Sequence, residues 1–370
     1  MIPFVDLKSQ YQAYQSEIDA AIAKVLGQAN FIMGQDVKIL EENLQQFVGV
    51  KHCITCANGT DALMLALIAI GLQPDDEVIT PSFTYIATAE AAAILRAKIV
   101  LVDIQENTYN LDPNRLAEAI TPKTRAIMPV SLYGQVADMD EVNAIAKEYS
   151  DKFGHKIYVI EDAAQSLGAE YKGIKSGNLS DIACASFFPS KPLGCYGDGG
   201  ALFTNDNDLA EKLRSIRAHG QRGRYNHELL GVNSRLDTLQ AAILNAKLMH
   251  FPQEIEKRYI LGAQYTEQLQ SLNCIPPFVL ADRTSIYAQY TIRVKNREGV
   301  IAGLKAAGIP AAVHYPMPIH AQKCFQYLSY TDANFPVSSL VSKEVFSLPM
   351  SAFLREADLC YIVSILEKLL

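Results

Sequence analysis

Lys191 lies in the run Ser186-Phe187-Phe188-Pro189-Ser190-Lys191-Pro192-Leu193-Gly194, which leads directly into Gly197-Asp198-Gly199-Gly200. An amine wedged between an aromatic pair, a proline and a glycine-rich turn is held close to backbone and partly stripped of water. That setting favours its neutral, nucleophilic form and makes it a candidate Schiff-base former. In isolation the same segment also reads as an ordinary surface loop. Two further groups narrow the chemistry. Asp162, in Glu161-Asp162-Ala163-Ala164-Gln165-Ser166, follows an apolar run and emerges at a strand end, where it can cap a helix or keep a ring nitrogen protonated. Asn58-Gly59-Thr60-Asp61 falls between a strand-like and a helix-like run. Free amides, a helix N-terminus and a hydroxyl converge there, as at a phosphate site or a simple cap. An amine for an imine, an acid for a ring nitrogen and a turn for a phosphate are the three anchors of pyridoxal 5'-phosphate.

The elements that must position these groups follow from periodicity. From about residue 51, short apolar β-rich runs alternate with helical patterns, the signature of a parallel sheet wrapped by helices. Candidate strands are 53–57, 77–80, 99–103, 126–131, 157–161 and 183–187. Thr60-Asp61 opens a helix that Gly71 closes, and Asp112-Pro113 opens another. Asp162 and the turn at 58–61 then lie at strand ends, where open α/β sheets place their ligands. Helical periodicity over 11–26 and 37–47 predicts an N-terminal arm, and over 236–251 and 255–272 a bridge to a smaller unit. In that unit a strand is expected at 286–294, a helix at 297–307, a strand at 311–314 and a closing helix at 356–370. The expected division is therefore an arm and a large α/β domain over 1–250, with the bridging helix and a small α+β domain over 251–370.

The 370 residues are 49% apolar and 20% charged with a net charge of -7, which suits a globular chain and offers no electrostatic footprint for nucleic acid or an anionic membrane surface. The opening Met1-Ile2-Pro3-Phe4-Val5-Asp6 lacks the pattern of a secretory signal, and no apolar run is long enough to span a bilayer, so the cytoplasm is the expected compartment. Seven cysteines, an odd number spread along the chain, read as reduced thiols. Cys53 and Cys56 have the spacing of a metal pair, but no second pair follows and no metal is expected.

Four motifs in order, Asn58-Gly59-Thr60-Asp61-Ala62-Leu63, Pro81-Ser82-Phe83-Thr84-Tyr85-Ile86-Ala87-Thr88, Glu161-Asp162-Ala163-Ala164-Gln165-Ser166 and the Lys191 segment, give the chain a resemblance to the DegT/StrS sugar-nucleotide aminotransferases. The resemblance runs from Pro3-Phe4-Val5-Asp6-Leu7 to the C-terminal region. It implies an aspartate aminotransferase-like fold (fold type I), with a large mixed, mainly parallel sheet domain and a small C-terminal domain. It also implies that Lys191 binds the cofactor covalently and then shuttles a proton, that Asp162 pairs with the pyridine nitrogen and that Gln165 bonds the ring hydroxyl. Gly59, Thr60 and Ser186 would hold the phosphate, and Tyr85 would stack on the ring. Asn233 matches a position that reaches the phosphate of a neighbouring subunit, which implies a homodimer with shared sites.

The stretches Val232-Asn233-Ser234-Arg235-Leu236-Asp237 and Val313-His314-Tyr315-Pro316 resemble the subgroup that aminates UDP-2-acetamido-2-deoxy-3-oxo-D-glucuronate for bacterial surface polysaccharides such as O-antigen and lipopolysaccharide. Arg235 suits such a substrate because a guanidinium grips a carboxylate through two parallel hydrogen bonds, and both L-glutamate and a uronate carry one. His314 and Tyr315 would line the sugar pocket. The alternative acceptor is another 3-oxo or 4-oxo deoxysugar nucleotide. Where many family members carry His and Asn, this chain has Ser131 and Pro192, changes expected to touch the active-site rim. His320 reads as a solvated loop histidine. A dehydratase of the same fold would replace the lysine by histidine, a regulator would be expected to add a nucleic-acid-binding segment, and an NAD-dependent oxidoreductase would need a Gly-x-Gly-x-x-Gly turn that the chain lacks.

Overall fold

Apolar runs of four or five residues become the strands of one central sheet. The computed structural model describes residues 2–370. Its strands begin with β1 (His52–Cys56), β2 (Glu77–Pro81), β3 (Lys98–Val102), β4 (Thr124–Ile127) and β5 (Tyr158–Asp162). A small hairpin of β6 (Glu170–Tyr171) and β7 (Ile174–Lys175) precedes β8 (Ile182–Ser186) and β9 (Gly200–Thr204). Seven of these pair in the order β1-β9-β8-β5-β4-β2-β3. Six run in one direction, and β9 alone is reversed, antiparallel to β1 on one side and to β8 on the other.

Helices cover both faces, so the strands are apolar on both sides, as a buried parallel sheet requires. The arm contributes α1 (Leu7–Ala13), α2 (Gln15–Gln28) and α3 (Gln35–Val48). Next come α4 (Gly59–Ala69), α5 (Ala87–Ile94), α6 (Pro113–Ala119), α7 (Met139–Phe153), α8 (Asn207–Ile216), α9 (Thr238–Leu248) and α10 (Phe251–Leu269). Successive strand residues alternate between two cores. Cys53, Ile79, Val159, Ala201 and Phe203 pack with α3, α7 and α9, whereas Ile54, Val78, Ile160 and Leu202 pack with α4, α5 and α8. The same alternation sends the Cys53 and Cys56 thiols into different cores, so they cannot share a ligand. A third core joins α10 to the antiparallel pair β10 (Tyr290–Arg293) and β11 (Val345–Leu348), with α11 (Arg297–Ala306) and α13 (Glu356–Leu369) packed on it. Ahead of β11 lies α12 (Pro336–Glu344).

Several elements differ from the periodicity reading. β9 was not expected, because it starts at a glycine and follows a glycine-rich turn that reads as loop. The helix expected over 11–26 starts earlier and is broken at Tyr14, which ends α1 and begins α2 while its ring stacks on His250 at 4.0 Å. The bridge also divides earlier, at Met249 and His250, with Pro252 in the first turn of α10. The strand expected at 311–314 is absent. Pro310 and Pro316 flank it without N–H donors, and only an isolated bridge from Ala312 to Ser347 forms.

Candidate active site

Asp162 is the last residue of β5 and therefore lies at the carboxyl edge of the sheet. Its Oδ2 accepts a hydrogen bond from Thr88 Oγ1 at 2.8 Å, and its Oδ1 accepts one from the Ala164 amide at 3.2 Å. Burial raises its pKa, opposed by those two donors and by the charge of Lys191. Thr88 comes from α5, so the sheet edge and the helix after β2 meet at this carboxylate.

Lys191 occupies the connection from β8 to β9. Because these strands are neighbours, the connection folds into a closed loop. The Phe187 amide donates to Gly199 O at 2.7 Å, the Cys195 amide to Phe187 O at 2.8 Å, and the Lys191 amide to Phe188 O at 2.8 Å. The two limbs touch at Gly194, where a Cβ would lie 2.4 Å from Pro189 O and 2.6 Å from Phe188 O. Burial pushes the Lys191 amine down to about 8, and the Asp162 carboxylate resists that fall. A substantial fraction is thus neutral near physiological pH, as an attacking amine must be.

Two more walls close on this pair. The Gln165 amide is fixed at both ends: Tyr133 N donates to its Oε1 at 2.7 Å, and its Nε2 donates to Tyr315 OH at 3.0 Å. Tyr133 adopts φ +58°, a conformation rare for an aromatic residue, and its hydroxyl donates to His314 O. The Tyr315 ring lies 5.8 Å from that of Tyr85, which is exposed, and 6.2 Å from Phe83. His314 Nδ1 is 2.9 Å from Ser347 Oγ. Burial, aided by the nearby Lys191 charge, lowers its pKa to about 4, so the ring is neutral at pH 7.

The strand-to-helix turn after β1 completes the arrangement. Asn58, rather than Thr60 or Asp61, is the N-cap of α4, its Oδ1 accepting from the Asp61 amide at 2.8 Å. Gly59 and Thr60 thereby fall in the first helical turn with amides free of intrahelical partners. Gly59 also faces Ser186 at the end of β8, where a Cβ would meet Ser186 Cβ at 2.8 Å. The cradle between them exists only because residue 59 has no side chain. A buried acid, a partly neutral lysine opposite it, an oriented amide and this cradle together fit pyridoxal 5'-phosphate. Among the described residues no group of three or more His, Cys, Asp or Glu side chains could hold a metal ion.

Lys191, Asp162, Gln165, His314 and Tyr315 are thus brought together, and Gly59 meets Ser186. Asn233 and Arg235 stand apart. They line a cleft of about 470 Å³ with Ile32, Asn58, Asp198 and Gln240, and neither Lys191 nor Asp162 borders it. Arg235 Nε is buried without a hydrogen-bond partner among the described residues. Three readings change. Ser131 is fully buried beneath the rim and donates to Glu161 Oε1 at 3.0 Å, and Pro192 is buried as well. His320 is not solvated: its Nδ1 lies 2.6 Å from Ser82 Oγ and its Nε2 3.0 Å from Asp332 Oδ1, so it ties down the segment that leads to Tyr85. Thr88, Tyr133 and Glu161 were not singled out from the sequence. Thr88 left only a trace, a hydroxyl residue within an alanine-rich run, which marks the position without naming its partner.

Residues 12–367 match the model of the DegT/DnrJ/EryC1/StrS aminotransferase family. The chain is 54% identical over 368 residues, covering all of both proteins, to a UDP-2-acetamido-2-deoxy-3-oxo-D-glucuronate aminotransferase of Pseudomonas aeruginosa. It is 44% identical to a pleiotropic regulatory protein of Geobacillus stearothermophilus, over 98% of this chain and 96% of that one. The crystal structure of S. venezuelae DesV in complex with a ketimine intermediate superposes with a TM-score of 0.95 at 37% identity, over 99% of this chain and 98% of that one. With fold and sequence in agreement over nearly its whole length, the chain belongs to the DegT/DnrJ/EryC1/StrS aminotransferase family of pyridoxal phosphate-dependent enzymes.

Proposed function

We propose that the chain transfers the amino group of L-glutamate to the 3-keto carbon of a UDP-linked sugar, UDP-2-acetamido-2-deoxy-3-oxo-D-glucuronate, on the way to bacterial surface polysaccharide such as O-antigen or lipopolysaccharide. The full-length relative acting on that sugar, at 54% identity, carries the choice of substrate. Residues 1–250 act as the cofactor-binding domain and 251–370 as the small domain over it. Seven free cysteines suit a reducing compartment, the cytoplasm. Among the described residues no helix is long and apolar enough to cross a membrane.

Bound pyridoxal phosphate supplies an electron-withdrawing pyridinium ring that stabilises negative charge at the amino-bearing carbon. Asp162 holds the proton on the ring nitrogen, and Gln165, locked by Tyr133 and Tyr315, donates to or accepts from the ring hydroxyl. Gly59, Thr60 and Ser186 take the phosphate, and Tyr85 covers the ring. Lys191 Nζ would take the proton from the donor's α-carbon and pass it to the bound cofactor, and would run that transfer in reverse onto the acceptor carbon in the opposite half-reaction, a role suited to an amine with pKa about 8. Neutral His314 and the Tyr315 hydroxyl face the sugar.

Arg235 grips a substrate carboxylate through the part of its guanidinium that lines the cleft. Asn233 and Arg235 serve the site of a second copy, making a homodimer with shared sites. The support is the exposed apolar surface around their cleft: Phe31, Ile32 and Met33 on one side, and Tyr225, Leu229 and Leu230 on the hairpin that ends at Asn233. Purified protein is expected to show the visible absorbance of a lysine-bound cofactor that bleaches on adding glutamate, and Lys191→Ala to abolish both. Turnover of the keto uronate over a neutral 3-oxo or 4-oxo deoxysugar nucleotide tests the acceptor. A neutral sugar used equally well would remove Arg235 from acceptor recognition and leave it the donor alone.

A further inference from the structure

A second buried lysine lies beneath the Lys191 loop. Lys247, on α9, is 1% exposed, and its Nζ donates to the carbonyl oxygen of Gly194, the residue at which the two limbs of the loop touch. The same helix holds the loop a second time, through Gln240 Oε1, which accepts from the Tyr196 amide at 2.9 Å. Gln240 and Lys247 are seven residues apart, two helical turns, so one face of α9 carries both grips. The Lys247 ammonium also lies 5.2 Å from the Tyr196 ring centroid.

Space filling does not explain this residue. Burying an amine costs free energy that a methionine of similar length would not incur. Burial pushes the Lys247 pKa down to about 8, and Glu254 is the largest influence holding it up. Glu254 is itself buried on α10 and accepts from Gln10 Nε2 of α1 at 2.9 and 3.0 Å. Arg258, a turn further along α10, is buried as well and donates to Tyr287 O at 3.1 Å. Gln10 of the N-terminal arm thus bonds Glu254, the Glu254 charge acts on Lys247, and Lys247 holds the backbone three residues past Lys191.

We infer that Lys247 is a positioning residue: by holding the Gly194 carbonyl, its side chain fixes how far the Lys191 amine projects from the loop. The inference rests on the role of Lys191 proposed above. Lys247→Met keeps length and apolar bulk but removes the donor. A misplacement of the order of an ångström lowers the rate of a positioned reaction steeply, so the variant should lose about tenfold or more in kcat while KM for donor and acceptor changes less than about twofold. Lys247→Arg, which retains a charged donor, should recover part of that loss. In cofactor-free protein, amides 187–199 should exchange hydrogen faster in Lys247→Met, with β8 and β9 unchanged. An unaltered kcat and unaltered exchange in that loop would overturn the inference. A measurement on unmodified protein stands even if the variant does not fold: the amides of Lys191, Cys195 and Tyr196 should exchange as slowly as β9, and exchange as fast as the exposed 222–226 hairpin would equally overturn it. Failure of the Lys191 reading looks different, since unmodified protein would then lack the absorbance of a lysine-bound cofactor.

Discussion

The sharpest prediction concerns the protonation of Lys191. With its amine lowered to about 8, close to one molecule in ten carries a neutral nucleophile at pH 7, against roughly one in three thousand for an ordinary lysine, a gain of about 300-fold. Two opposing influences set that value: burial, which pushes it down, and Asp162, which holds it up. The cofactor-free protein can be labelled with trace acetic anhydride across pH 6 to 11, and the labelled Lys191 peptide quantified by mass spectrometry against an added short lysine peptide. Reactivity of Lys191 should rise tenfold per pH unit and level off near pH 8, while that of the added peptide continues to rise. Asp162→Asn removes the carboxylate's attraction, so the levelling point should move to lower pH. A Lys191 profile that levels near pH 10.5, or one that Asp162→Asn moves upward, would refute the electrostatic account of the site.

Other consequences are as direct. Gly59→Ala places a methyl against Ser186 Cβ, and overpacking of about 1–3 kcal/mol should weaken cofactor affinity roughly 5- to 150-fold, read by equilibrium dialysis. Thr88→Val deletes a hydrogen bond to the buried Asp162 carboxylate, worth about 1.5–3 kcal/mol. Release of cofactor by Thr88→Val should begin at higher pH on acid titration than in unmodified protein, because an acid whose pKa has risen further loses its charge sooner. Glu41→Leu breaks the part-buried contact with Arg217, whose buried NH1 also donates to Thr55 O at 2.7 Å. The loss of about 3–5 kcal/mol should lower Tm by several degrees in calorimetry without changing KM. His314→Phe should leave cofactor absorbance intact and raise KM for the keto sugar, and an unchanged KM would remove His314 from the sugar pocket.

The parts of the site that share a short stretch of chain were legible: the lysine loop, the acid closing β5 and the capped turn after β1 each carry their own local signature. What escaped depends on partners distant in sequence. Thr88 meets Asp162 across 74 residues, and Ser82 meets His320 across 238, so neither hydroxyl nor ring announces its role beforehand. His320 shows the limit clearly, since a histidine after Pro318 and Ile319 has no periodic pattern to mark it as buried. The parallel strands were readable from their apolar runs. β9 was not, because reversing direction beside β8 leaves no mark on composition, and its opening glycines look like loop. The strand expected at 311–314 failed for a local reason, as the prolines on either side remove donors that a ladder needs.

The reversal of β9 has a consequence for how this site can vary. Because β8 and β9 are neighbours in one ladder, with Ser186 paired to Gly200 and Ala183 to Phe203, the arch bearing Lys191 begins and ends on a fixed register. A one-residue slip of that register would rotate Ala201 and Phe203 out of one core and drive Leu202 into it, undoing both faces of the sheet at once. An insertion or deletion in the arch is therefore absorbed within the arch, where it moves Lys191, and not by the strands on either side.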